Sequence, residues 1–138
     1  MAFQNPPDET IKSILATPQT VAVVGCSPNP ERDSHRIAKL LQDRGHRVIP
    51  VNPGHRSILG ENCYASLRDI PEAVDMVDIF RRSEHIPPLL EQLLEIRPPL
   101  VWMQQGIRHD EVARSLESAG IAVVMDRCLA VDHQFLGA

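Results

Sequence analysis

The chain has 138 residues, 14 Lys+Arg against 18 Asp+Glu and a formal net charge of -4, a length that suits one domain of about 100–150 residues. Hydrophobic residues make up 43% and charged residues 23%, which excludes a disordered tail. No apolar run approaches the ~20 residues of a membrane span, and the acidic balance gives no general attraction for nucleic acid.

The elements follow from Gly and Pro punctuation and from hydrophobic runs. Residues 8–16 read as a short lead-in helix. Thr20–Val24 is a continuous apolar run, the pattern of a parallel strand buried on both faces. A loop with Pro28 and Pro30 follows, then a helix over about 33–44 with Ile37, Leu40 and Leu41 on one face and Gly45 after its end. Arg47–Val51 is the second strand; Pro50 has no N–H for a ladder, so pairing is expected to fail near its end. Residues 52–74 form the longest connection, with a short helix at about 66–70. Residues 76–80 are the third strand. A helix with Pro87 and Pro88 in its first turn runs through Leu89, Leu90, Leu93 and Leu94 until Pro98 and Pro99. Leu100–Met103 is the fourth strand, with Trp102 as core. A helix from about 108 buries Val112, Ala113 and Leu116 and stops at Gly120, and 121–125 is the fifth strand.

Strand and helix alternate without hairpin signals, which means parallel pairing. The expectation is a Rossmann-like doubly wound α/β sheet of five parallel strands, order 3-2-1-4-5, in three α/β/α layers. One domain holds a lead-in (1–19), the core (20–125) and a C-terminal segment (126–138). Its ligand belongs outside the carboxyl ends of the strands, at the switch point between the first and fourth.

Every loop at that end carries arginine: Arg32, Arg56, Arg81 with Arg82, Arg108 and Arg127. A net acidic protein that gathers guanidinium groups around one crevice focuses anions there. Gly25-Cys26-Ser27 leads from the first strand to a helix start, the outline of a phosphate cradle, although Pro28 and Pro30 stand where a G-x-G-x-x-G fingerprint needs glycine. The second strand ends in Val51-Asn52-Pro53-Gly54-His55-Arg56, with no carboxylate for a ribose 2′-hydroxyl. That disfavours NAD and leaves NADP or another phosphorylated adenosine ligand open.

Cys26, near a helix start and arginines, is a candidate for a lowered thiol pKa, and Cys128 for a thiol facing the site. Cys63 has no evident role. Ser34 reads as a helix cap. No metal-ligand spacing and no G-x-S-x-G elbow occurs in the sequence.

Five stretches carry a resemblance: Val21-Ala22-Val23-Val24-Gly25-Cys26-Ser27, Val48-Ile49-Pro50-Val51-Asn52-Pro53, Asp78-Ile79-Phe80-Arg81-Arg82-Ser83-Glu84, Val101-Trp102-Met103-Gln104-Gln105-Gly106-Ile107 and Asp126-Arg127-Cys128. Together, over roughly residues 8–135, the chain resembles the small stand-alone CoA-binding proteins, similar in fold to the CoA-binding domain of the succinyl-CoA synthetase alpha subunit. The resemblance implies that Gly25, Cys26 and Ser27 line the pyrophosphate. Pro53, His55 and Arg56 meet the 3′-phosphate side, and Phe80 and Arg81 flank the adenine. Gln104, Gln105 and Gly106 run beside the pantetheine arm; Arg32, Ser34, Asn52 and Arg82 complete the expected set.

The implied function is binding of coenzyme A or an acyl-CoA without catalytic residues, so a binding module rather than an enzyme. The alternative is a small NADP-dependent oxidoreductase or a redox sensor built on Cys26 or Cys128. Three isolated cysteines and no visible leader suggest the cytoplasm. The expected partner is the small-molecule ligand, not nucleic acid or membrane, with a homodimer or another protein partner left open.

Overall fold

The computed structural model describes residues 3–132; residues 1–2 of the expected lead-in and 133–138 of the expected C-terminal segment lie outside these. Helix α1 (Asp8–Leu15) precedes β1 (Thr20–Val24), α2 (Asp33–Asp43) and β2 (Arg47–Val51). A small hairpin, β3 (Ser57–Ile58) and β4 (Glu61–Asn62), and a 3₁₀ turn at Leu67–Asp69 lead to β5 (Met76–Ile79). Then come α3 (Leu90–Ile96), β6 (Leu100–Met103), α4 (Asp110–Ser118), β7 (Ala122–Val124) and α5 (Leu129–Asp132). The hairpin and α5 were not anticipated. Pro87 and Pro88 do not start α3; they form a separate 3₁₀ turn before it, where their missing N–H groups break no α-helical ladder. Arg97, in the left-handed region, ends α3 ahead of Pro98.

The five main strands are parallel throughout, but their order corrects the expected 3-2-1-4-5. It is β2-β1-β5-β6-β7, so the third strand in sequence lies beside the first, and the switch point falls between β1 and β5 instead of between the first and fourth strands. The reason sits in β2. Pairing with β1 continues through Val24↔Val51, so the expected loss of pairing does not occur on that side. Gly25 N donates to Val51 O at 2.9 Å, so Val51 faces β1 and Pro50 faces outward, where its carbonyl accepts from Tyr64 N at 3.1 Å. A residue without an N–H on that side keeps β2 at the edge. The chain therefore crosses back over β1, and Asp75 fastens the new neighbour by accepting from Thr20 N at 2.8 Å.

Each strand buries both faces, so two apolar layers form. Ala22, Val24, Val77 and Val101 pack with Leu67, Leu93, Val112 and Leu116, beneath α3 and α4. Val21, Val23, Met76 and Trp102 pack with Ile11, Leu15, Ala38, Leu41 and Leu129, beneath α1, α2 and α5. One polar group interrupts the second layer. Asp78, 0% exposed in the middle of β5, has no hydrogen-bond partner on either carboxyl oxygen among the described residues. Burial pushes its pKa well above the usual carboxylate value, so the core holds it as a neutral acid.

The outer edge of the sheet is tied to the N-terminal segment. The Asn5 carboxamide donates to Met125 O and accepts from Met125 N, both at 2.7 Å. Arg127 reaches Asp8 at 2.9 Å, and Arg108 donates to Phe3 O at 2.8 Å.

Candidate functional site

The site begins at the turn after β1. Gly25 has φ +83, and a Cβ there would stand 2.7 Å from the Phe80 carbonyl oxygen, so the turn from β1 passes too close to the end of β5 for any side chain. Asn52, at the end of β2, donates from Nδ2 to Cys26 O at 2.8 Å. Ser27 N donates to Ser34 Oγ at 3.0 Å, and the His35 ring Nδ1 lies 2.9 Å from Ser27 O. Ser34 is thus a brace for the turn, not the helix cap expected; the position before α2 is Arg32, with no side-chain cap bond.

A cleft of about 570 Å³ opens between this turn, the start of α2 and the end of β5. Gly25, Ser27, Arg32, Ser34 and Phe80 line it, joined by Glu31 and Asp33. Asp33 and Phe80 also line a second space of about 320 Å³ that continues past Ile37 to Gln104, Gln105, Ile107 and Cys128. The two form one groove across the carboxyl ends of β1, β5 and β6. Gly106, exposed and next to Gln105, donates its N–H to Asp126 Oδ1 at 2.6 Å. Asp126 holds φ 58, and Asp, like Asn, tolerates that conformation.

Of the expected residues, Pro53, His55 and Arg56 are exposed on the loop after β2, outside the lining of either space. Arg81 is half-buried and Arg82 exposed, just beyond Phe80. Cys26 lies beneath the turn at 0% exposure. Its thiol is pushed up to about 12 by burial first, then by nearby Cys63 and Asp78, which corrects the expectation of a lowered pKa. Cys63 donates its thiol proton to Asn52 O at 3.4 Å, a role the sequence did not suggest. Asp33, Ile37 and Ile107 were not in the expected set, whereas Cys128, expected as a thiol facing the site, does line the second space. The four-residue spacing of Asp33 and Ile37, which puts both on one face of α2, was a usable signal.

The arginines divide by location. Arg47 pairs with Glu72 at 2.5 Å and Arg68 with Glu95 at 2.6 Å, at the far end of the sheet. Arg36 pairs with Asp33. Arg108 and Arg127, expected at the crevice, are engaged with Asp110 and Asp8. Among the described residues, the guanidinium groups of Arg32, Arg56, Arg81 and Arg82 meet no carboxylate and donate to no acceptor. All four lie at the carboxyl end, the end predicted for the ligand. No group of three or more His, Cys, Asp or Glu that could hold a metal ion occurs among the described residues, and no described helix is long and apolar enough to cross a membrane.

Residues 19–134 match the family described as CoA binding domain. The chain is 42% identical over 131 residues to the uncharacterised protein YneT of Bacillus subtilis, covering 95% of this chain and 97% of that one. It is 32% identical to an ADP-forming acetate–CoA ligase of Archaeoglobus fulgidus, across 85% of this chain but only 18% of the ligase. Among solved structures, a Thermus thermophilus protein superposes with a TM-score of 0.91 at 41% identity, covering 95% of this chain and 99% of its own.

Proposed function

The chain belongs to the CoA-binding domain family, and we propose that it holds coenzyme A, or an acyl-CoA, in the groove across the carboxyl ends of its parallel strands. In this reading the pyrophosphate lies on the Gly25–Ser27 turn, where backbone groups and the start of α2 meet it. The 3′-phosphate faces His55 and Arg56 on the loop after β2. The adenine packs on Phe80 and Arg81, apolar on one side and cationic on the other. Arg32, Ser34, Asn52 and Arg82 support these contacts. The arm runs along the second space past Gln104 and Gln105, with Gly106 next to them.

One observation supports this reading most. Among the described residues, the four guanidinium groups without partners all lie at the carboxyl end of the sheet, whereas Arg36, Arg47, Arg68, Arg108 and Arg127 are spent on the protein's own carboxylates. Guanidinium groups left without an ion pair in a net acidic protein suit a ligand that brings several phosphate charges. A chain that corresponds to 18% of an acetate–CoA ligase is read as the part that holds the ligand, with chemistry supplied elsewhere.

Calorimetry with CoA, dephospho-CoA, NAD and NADP tests the proposal. CoA is expected to bind tightest, and loss of the 3′-phosphate to weaken binding about 10- to 100-fold, the worth of one or two charge-assisted hydrogen bonds. Equal binding of NADP would replace this reading with the oxidoreductase one.

A further inference from the structure

The far end of the groove contains a thiol that the ligand-holding reading does not use. Cys128 lines the second space beside Ile107 and Phe80, half-buried. The other two cysteines are differently placed: Cys26 is sealed beneath the turn, and Cys63 gives its proton to Asn52 O. Cys128 is also held firmly on both sides. Trp102 Nε1 donates to Arg127 O at 2.8 Å, and Leu129 N donates to Gln104 Oε1 at 3.2 Å.

Gln104 supplies the second observation. It is 4% exposed and lines the same space. Its Oε1 is engaged by Leu129, while its Nε2 donates to nothing among the described residues. The side chain is pinned by its oxygen while Nε2 opens on the groove as a donor with no protein acceptor among the described residues, which suits a ligand carbonyl there. An acceptor carbonyl followed within a short reach by a thiol is the chemistry of the pantetheine arm.

Resting on the reading of the groove as a CoA site, we propose that Cys128 captures coenzyme A covalently by thiol–disulfide exchange with CoA disulfide. One half of the disulfide lies in the groove with its pyrophosphate on the Gly25–Ser27 turn, and the other half projects into solvent. Cys128 Sγ, its proton released to water, attacks the sulfur of the seated half. The Sγ–S bond forms as the S–S bond of CoA disulfide breaks, and the outer CoA leaves as a thiolate that takes up a proton. The protein thiol is oxidised and one CoA sulfur reduced, so no further oxidant enters. A second thiol attacking the mixed disulfide runs the exchange backwards and frees the groove.

The test is intact-mass spectrometry without reductant, comparing CoA disulfide with glutathione disulfide, alongside calorimetry with CoA. A single CoA adduct is expected on the tryptic peptide that begins at Cys128. It should form at least about tenfold faster than the glutathione adduct, because the groove raises the local concentration of its own ligand. Desulfo-CoA, which fills the groove without a thiol, should suppress it, and Cys128→Ser should abolish it. Equal rates for the two disulfides, or an adduct on Cys26 or Cys63, overturn the capture while calorimetric CoA binding leaves the parent reading standing. A wild-type chain that binds no CoA overturns both.

Discussion

Replacing Asp78 by Asn tests whether the core holds a neutral acid. The substitution keeps the shape and removes the titration. Asp78 is fully buried with both oxygens unpartnered among the described residues, and burial raises its pKa well above 3.8. The folded protein therefore keeps a proton that the unfolded chain releases once the pH exceeds about 4. One extra proton on the folded state makes unfolding easier by about 1.4 kcal/mol per pH unit. The full stability is present below the unfolded pKa and is lost as pH rises toward the folded one. For each pH unit between the unfolded and the folded pKa, the Asn variant should gain about 1.4 kcal/mol relative to wild type, or roughly 4–7 °C in Tm for a domain of this length. Urea or thermal unfolding of both proteins across that range gives the difference directly, with other titrating groups cancelling. The pH at which the difference levels off reports the folded pKa of Asp78. A difference that stays constant with pH would refute the buried neutral acid.

Other outcomes follow from single contacts. Gly25→Ala, forced to φ +83 against the Phe80 carbonyl, should destabilise the fold by about 1–3 kcal/mol, measured by urea unfolding. Arg81→Ala should weaken CoA binding in calorimetry yet change stability by less than about 0.5 kcal/mol, since it meets no carboxylate among the described residues; collapse of the fold would make it structural. His46 Nδ1 accepts from Gln19 N at 2.9 Å, and burial, then Arg44, lowers its pKa below 6.5. Its contribution is complete above pH 6.5 and is lost as pH falls through the folded pKa, so an NMR titration of its ring should give a midpoint below 6.5. Asp126→Ala, which loses both the bond to Gly106 N and a residue suited to φ 58, should lower Tm more than Asp126→Asn does.

The strands were legible because a parallel sheet buried on both faces writes itself as apolar runs such as Thr20–Val24 and Leu100–Met103. Their order was misread, although Pro50 carried the information. A proline whose missing N–H faces away from β1 forces β2 to the edge, and only the sheet reveals which way residue 50 points. Of the groove lining, the Gly25–Ser27 turn followed from chain order, since loops at one end of a parallel sheet must converge, while Phe80 and the glutamines after β6 came from the family resemblance. The pairing of Arg108 and Arg127 with Asp110 and Asp8 could not, because Arg127 finds its partner more than a hundred residues away in sequence. The environment of Cys26 was equally hidden. Cations and a helix start near in sequence suggested an activated thiol, while the layer beneath α2 removes it from water.

The Asn5 carboxamide engages the N–H and carbonyl of Met125 just past β7, the groups another chain's strand would otherwise recruit. The first few described residues therefore act as a stopper on the sheet's exposed flank. Cutting them away would leave the groove in place while turning that flank into a template for chain-to-chain stacking. Shortened versions of the protein made for ligand studies would be expected to aggregate before they lose affinity.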